Sequence, residues 1–217
     1  MPSPKIIKHA WFDFTGTLAI PEQEKYRRLQ LETYANAVGR TLDLALEVEF
    51  DSLLQLSGSS VAAVFSSLGL GADYWSNRIN SSSRDGLYHL AADEVPNILL
   101  ALNDLIPISL FSNIRTEEIL SDLGIDQKMF AHILGPDMLI KPKPSPEGFC
   151  KIIEISRLPP NQILYIGDNI EKDILPARKT GITTGLIWSK SELADFSFEQ
   201  FGDILKAVRQ LSRPAAA

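Results

Sequence analysis

Residues 5–18, from Lys5 to Leu18, are KIIKHAWFDFTGTL. A half-charged lead-in passes into the apolar Ala10, Trp11 and Phe12 and stops at Asp13, followed by the small residues Thr15, Gly16 and Thr17. This is the pattern of a buried strand that delivers a carboxylate at its carboxyl end. A buried carboxylate without a partner is costly, so Asp13 needs a metal, a counterion or a chemical task. Taken alone, it is as well explained as a turn residue capping its own backbone. The rest of the chain decides between the two.

With 217 residues the chain can bury one core plus a smaller inserted unit. Its composition, 45% hydrophobic and 22% charged, is that of a globular protein rather than a disordered or membrane-embedded one. A formal net charge of -6 argues against nucleic acid or an anionic membrane as the main partner. A local lysine cluster would still accept an anionic small molecule. The single cysteine, Cys150, excludes an internal disulfide framework and fits a reducing compartment. Its apolar neighbours and helical setting lead one to expect a buried structural thiol. No targeting segment or membrane span is visible, which leads to the expectation of a cytoplasmic protein.

Working outward from Leu18, Pro21 breaks the chain and helical patterns follow one another at Glu22–Val38, Leu42–Leu56, Val61–Leu68 and Asp73–Leu90, with no convincing strand. They predict a small helical bundle spanning residues 20–89. From Val95 the pattern alternates. A helix at Asn97–Asp104 leads to the strand Ile106–Phe111. A helix at Thr116–Leu123 leads to the strand Phe130–Leu134, and a helix following Pro146 leads to the strand Gln162–Ile166. A helix at Ile170–Lys179 leads to the strand Thr183–Trp188, and a helix from about Phe198 to Leu211 closes the chain. Alternation of this kind predicts an α/β fold, a Rossmann-like parallel sheet with helices on both faces. Residues 1–19 and 90–212 form its core, residues 20–89 are the inserted helical-bundle cap, and residues 213–217 are a disordered tail.

Parallel sheets collect ligands at the carboxyl ends of their strands. The first strand delivers Asp13 to that edge, the second Ser112 and Asn113, and the strand ending at Gly167 delivers Asp168, with Asp173 a turn later. The loop Lys141-Pro-Lys-Pro-Ser-Pro brings Lys141 and Lys143. Carboxylate oxygens at Asp13 and Asp168 suit Mg²⁺, and a lysine beside them suits a phosphoryl oxygen. With charge compensated in this way, Asp13 is placed to attack phosphorus.

Four stretches in order, Asp-Phe-Thr-Gly-Thr-Leu (13–18), the strand ending at Ser112-Asn113, Lys143-Pro-Ser-Pro-Glu-Gly-Phe, and Gly167-Asp168-Asn-Ile-Glu-Lys-Asp173, resemble the motifs of the haloacid dehalogenase (HAD) superfamily. The resemblance spans about residues 6–190, and the insertion after the first motif is similar to that family's α-helical cap. It implies Asp13 as nucleophile and metal ligand, and the Thr15 backbone carbonyl as a second ligand. Asp168 would bind Mg²⁺, with Asp173 as a ligand or a supporting acid. Lys143 would be the charge-stabilising lysine, in preference to Lys141, which reads as a solvated loop residue. Ser112 would bind the phosphoryl group. Beside these roles, Thr15, Gly16, Asn113 and Lys143 are candidates to line the substrate site, and Arg115, just past Ser112-Asn113, is placed for an anion. The implied substrate is a small phosphorylated metabolite, and the implied state a monomer or homodimer.

One position departs from the resemblance. Most phosphatases of that family carry a second Asp where this chain has Thr15, and that Asp protonates the leaving oxygen and then activates water. A threonine hydroxyl does neither well near neutral pH, and general acid–base catalysis is worth roughly 10²–10⁴-fold. Three readings follow: a Mg²⁺-dependent phosphohydrolase that is slow or prefers leaving groups needing no proton; a carbon–halogen or carbon–phosphorus hydrolase; and a non-catalytic or regulatory phosphate-binding protein. In the insertion, Arg27, Arg28, Tyr74, Trp75, Asn77 and Arg78 are candidates to face the substrate, though bundle core and solvated face explain them as well. His9, His89 and His132 show no metal-ligand spacing.

Overall fold

A computed structural model describes residues 6–212; residues 1–5 and the tail expected at 213–217 lie outside the described residues. Strand β1, His9–Phe12, is buried along its whole length, as the apolar run predicts. It is flanked by β4, Ile108–Phe111, and β6, Ile163–Gly167, both parallel to it. With β5 (Phe130–Leu134), β7 (Thr183–Ile187) and β8 (Phe196–Phe198), they form a six-stranded sheet in the order β5-β4-β1-β6-β7-β8, every pair parallel.

The two-residue period of the strands sorts their side chains onto two apolar faces. Ala10, Phe12, Ile108, Leu110, Leu164 and Ile166 point to one core. There they meet Val95 and Leu99 of α5 (Val95–Asn103) and Phe201 and Ile204 of α9 (Phe201–Leu211). Trp11, Phe111 and Tyr165 point to the other face, against Phe149 and Ile152 of α7 (Glu147–Ser156). On that helix the buried side is Gly148, Phe149 and Ile152, which turns Cys150 outward. Cys150 is exposed, so the expected buried thiol is corrected.

Between β1 and β4 the chain forms α1 (Gln23–Val38), α2 (Leu44–Leu56), α3 (Val61–Ser67) and α4 (Tyr74–Ser81). Their starts follow local capping chemistry: the Glu22, Asp43 and Ser60 side chains accept from backbone N–H groups in the first turns of α1, α2 and α3. Tyr34, Phe50, Phe65 and Trp75 pack in the same apolar cluster as the β1 face, so the four helices are continuous with the core.

The structure differs from the sequence reading here in one respect. The fourth helix ends at Ser81 rather than reaching Leu90, and the four helices are bracketed by a short antiparallel ribbon. Its strands are β2 (Ala19–Pro21) and β3 (Tyr88–Leu90), paired Ala19 to Leu90, Ile20 to His89 and Pro21 to Tyr88. Strands of three residues are too short to show an alternating period, and a proline in one of them argued against a strand. The same brevity hid β8.

Candidate active site

The strand order reverses at β1: β4 and β5 lie on one side, β6, β7 and β8 on the other. In open parallel sheets the ligand crevice lies at the carboxyl end of such a point. Asp13 stands there, its N–H donating to the Ile166 carbonyl at 2.8 Å and so extending the β1–β6 ladder by one residue. The chain then turns back tightly: the N–H groups of Thr17, Leu18 and Ala19 all donate to the Phe14 carbonyl. Gly16 makes the turn possible. Its φ of +92° is one that side chains rarely adopt, and a Cβ there would lie 2.2 Å from Asp168 Oδ2.

Lys143 is the fixed cation of the site. Its ammonium is 1% exposed and donates to Asp13 Oδ1 at 2.7 Å, the Tyr165 hydroxyl at 2.7 Å and Asp173 Oδ1 at 2.9 Å. It also sits 4.7 Å from the centre of the Phe111 ring. Asn113 holds the loop that carries Lys143: its Oδ1 accepts from the Lys143 N–H at 2.8 Å, and its Nδ2 donates to the Lys143 carbonyl and to Ser60 Oγ, both at 3.0 Å. Ser112 is buried, with Oγ accepting from the Ile114 N–H at 3.2 Å.

Asp168 and Asp173 come from the end of β6 and the π-helical turn Ile170–Ile174 that follows it. Wide turns of this type recur at functional sites because they re-aim neighbouring side chains. Asp173 is fully buried, and its Oδ2 accepts from the Asn169 N–H at 3.3 Å. The same turn brings in a residue that sequence reasoning passed over. Lys172 Nζ lies 3.1 Å from Asp13 Oδ2, 3.8 Å from Asp168 Oδ1 and 3.8 Å from Asp173 Oδ2. Asp168 lies before this turn, so helical spacing does not single Lys172 out.

These groups set one another's charge. Burial pushes the Asp13 carboxyl up, but the Lys143 and Lys172 ammonium groups outweigh it and hold Asp13 below the ordinary carboxylate value. Asp13 is therefore ionised at neutral pH. Burial also pushes Asp168 up; Lys172 pulls it back and the Asp173 and Asp13 carboxylates push it further, to about 6. Burial lowers the Lys172 ammonium, and the three carboxylates overturn that and raise it well above its ordinary value.

The donor set fits a hard divalent cation. Asp13, Asp168 and Asp173 each offer a carboxylate oxygen, and these oxygens lie within 4.8 Å of one another. Asp13 Oδ2 is buried without a well-formed hydrogen bond, and the Lys172 ammonium lies 3.1 Å from it. Asp173 is the most committed of the three, because Lys143, Tyr165 and the Asn169 N–H already occupy its oxygens.

A cavity of about 130 Å³ opens in front of Asp13. The sheet side of its wall is Asp13, Thr15, Ser112, Asn113, Ile114, Lys143 and Lys172. The helical side is Tyr26, Gln30, Leu54, Ser59, Ser60, Val61, Ala62 and Trp75. Of the insertion residues singled out from sequence, Trp75 alone reaches the cavity. Arg27 pairs with Asp51 at 2.7 Å and Arg28 with Glu32 at 2.8 Å. Arg115 is not brought to the cavity: its guanidinium bonds Asn77 and lies 3.6 Å from Asp73 and 3.9 Å from Asp137. Lys141 is exposed, as expected of a loop lysine. Gly16 lies behind the wall, its carbonyl accepting from Trp188 Nε1 at 2.9 Å.

The chain matches the sequence model of haloacid dehalogenase-like hydrolase over residues 7–181. Among solved structures it is similar to the HAD phosphatase from Thermococcus onnurineus, at 18% identity and a TM-score of 0.68, over 93% of this chain and 98% of that one. It is also similar to the 2-haloacid dehalogenase from Pseudomonas syringae pv. Tomato DC3000, at 19% identity and a TM-score of 0.62, over 94% and 99% of the two chains. A third is the HAD-hydrolase YfnB from Bacillus subtilis bound to magnesium, at 14% identity and a TM-score of 0.61, with the same coverage of 94% and 99%. At such identities these likenesses speak for the fold alone. No curated protein sequence matches the chain. No helix of the described residues is long and apolar enough to cross a membrane.

Proposed function

Since the chain belongs to the haloacid dehalogenase-like hydrolase family, we propose that it hydrolyses a small phosphorylated metabolite through an aspartyl-phosphate on Asp13. The observation that carries this reading is the setting of Asp13: buried, held at Oδ1 by the Lys143 ammonium, and facing the cavity. An oriented carboxylate beside a compensating cation is a competent nucleophile.

In the first step the Asp13 carboxylate forms a bond to phosphorus as the bond to the leaving oxygen breaks. Ser112 holds a phosphoryl oxygen, and the Lys143 ammonium offsets the negative charge that gathers beside the carboxylate. The leaving oxygen departs with its electron pair, and Thr15 supplies no proton to it. Acyl and aryl phosphates, whose leaving groups are stable as anions, are therefore the preferred substrates. In the second step water attacks phosphorus, Asp13 is released, and the proton passes to solvent. Without a carboxylate at position 15 this step is the slower, so phosphoenzyme accumulates. Asp13, the Thr15 carbonyl and Asp168 would hold Mg²⁺, which supplies charge neutralisation for an incoming phosphate. Asp173 keeps Lys143 in position rather than serving as a free ligand. The four helices act as a cap over the cavity. Their contribution to its wall contains no cation, which points to a substrate whose one charged group is the phosphate and whose remainder is small and neutral.

A second reading, hydrolysis of a carbon–halogen bond by the same Asp13 attack, is favoured by Thr15, since halide also leaves without a proton. A substrate panel of acyl, aryl and alkyl phosphates, phosphonates and 2-haloacids, with and without Mg²⁺, tests both. Mg²⁺-dependent phosphate release that vanishes in Asp13→Asn supports the first reading. Halide release without Mg²⁺ supports the second, and an inert panel leaves a phosphate-binding protein.

A further inference from the structure

The two lysines of the site are held in different ways. Lys143 is locked by short hydrogen bonds to Asp13, Tyr165 and Asp173 and is 1% exposed. Lys172 is 13% exposed and meets Asp13 Oδ2 at 3.1 Å, a longer contact than the 2.7 Å between Lys143 and Asp13 Oδ1. Its ammonium also borders the cavity, which gives it somewhere to go. The backbone beneath it is fixed, because the Lys172 N–H donates to Asn169 Oδ1 at 2.8 Å. The arrangement is a cation on an anchored turn, with its tip between the carboxylates and the cavity.

We infer that Lys172 is a built-in cation that competes with a divalent metal ion for the Asp13 and Asp168 carboxylates and thereby sets how weakly this protein binds metal. The inference rests on the metal site proposed above. Asp13 and Asp168 would hold such an ion, and they are the carboxylates that the ammonium approaches, at 3.1 and 3.8 Å. A divalent ion and an ammonium this close repel each other, so the ion enters only as the Lys172 side chain swings away. The cavity is the open direction, and an anion bound there would receive the displaced charge. Metal and phosphate therefore bind cooperatively, with Lys172 as the coupling residue.

Isothermal titration of MgCl₂, and of MnCl₂ as a second probe, into wild type, Lys172→Met, Lys172→Arg and Asp168→Asn tests this. Removing a unit charge a few ångströms from the ion should tighten binding by at least about tenfold in Lys172→Met. Lys172→Arg, which keeps the charge, should stay near wild type. Inorganic phosphate should tighten Mg²⁺ binding several-fold in wild type and much less in Lys172→Met. If Lys172→Met is poorly folded without metal, its unfolding temperature should rise more with saturating Mg²⁺ than that of wild type. Equal Mg²⁺ affinity, or an equal temperature rise, in wild type and Lys172→Met overturns the inference while loss of binding in Asp168→Asn leaves the metal site standing. Wild-type affinity in Asp168→Asn overturns both.

Discussion

Replacing Lys143 with Met should destabilise the protein strongly, and the structure sets the size. The ammonium is 1% exposed and donates to Asp13 Oδ1 at 2.7 Å and to Asp173 Oδ1 at 2.9 Å. Methionine keeps the volume of the stem and removes the charge. Both carboxylates would then be buried with Lys172 as their sole nearby ammonium among the described residues. Breaking a buried ion pair from one side costs about 3–5 kcal/mol. Two charge-assisted hydrogen bonds at roughly 1.5–3 kcal/mol each lead to the same range. Urea unfolding at pH 7, followed by circular dichroism, measures it. The same experiment on Asp173→Asn and on the double variant isolates the pair. With Lys143 gone, neutralising Asp173 should cost little or restore stability, a coupling of about 2 kcal/mol or more. A loss below about 1 kcal/mol for Lys143→Met, or single effects that simply add, would refute the picture of one buried ammonium serving two carboxylates.

Thr15→Asp should raise turnover of alkyl phosphates by about 10² or more while leaving Mg²⁺ affinity largely unchanged; equal turnover in the two proteins would remove Thr15 as the limiting residue. Gly16→Ala should cost about 1–3 kcal/mol and weaken Mg²⁺ binding, because its backbone sits at φ +92° and the new Cβ would meet Asp168 Oδ2; unfolding and titration read the two effects separately. His9 is buried against Trp11 and His132, with Nε2 2.8 Å from Ser109 Oγ, and burial, then the proximity of His132, lower it to about 4. The folded protein therefore refuses a proton that the unfolded chain accepts, and the stability His9 contributes above pH 6.5 is lost as the pH falls toward 4. Between pH 7.5 and 5 the loss should be about 2 kcal/mol; His9→Gln should remove that part of the pH dependence, and an unchanged pH profile would sink the assignment.

Much of the site was legible because its residues sit where apolar strands end. Asp13, Ser112, Asn113 and Asp168 each follow a continuous apolar run of the kind that marks a strand buried on both faces, and such runs define the sheet edge without any tertiary information. Lys143 was legible from the proline-rich loop that forbids regular structure around it. Lys172 was not, because a lysine next to an aspartate reads as a solvated pair until the π-helical turn aims both side chains inward. The helical wall of the cavity was hidden for a different reason. Tyr26, Gln30, Leu54 and Trp75 belong to amphipathic helices, and periodicity does not distinguish the inside of a bundle from the underside of a cap. Arg115 shows the reverse: its place just beyond Asn113 suggested an anion site, and Asn77, Asp73 and Asp137 hold it elsewhere.

The claim on which the account turns is covalent catalysis by Asp13. Wild type mixed with acetyl phosphate and Mg²⁺, quenched in acid within seconds and digested for mass spectrometry, tests it directly. The account predicts one phosphoryl group on the peptide containing Asp13, accumulating because Thr15 leaves the second step slow, and none on the same peptide of Asp13→Asn. Phosphate release at the wild-type rate by Asp13→Asn, or turnover by wild type with that peptide unmodified throughout, would contradict it.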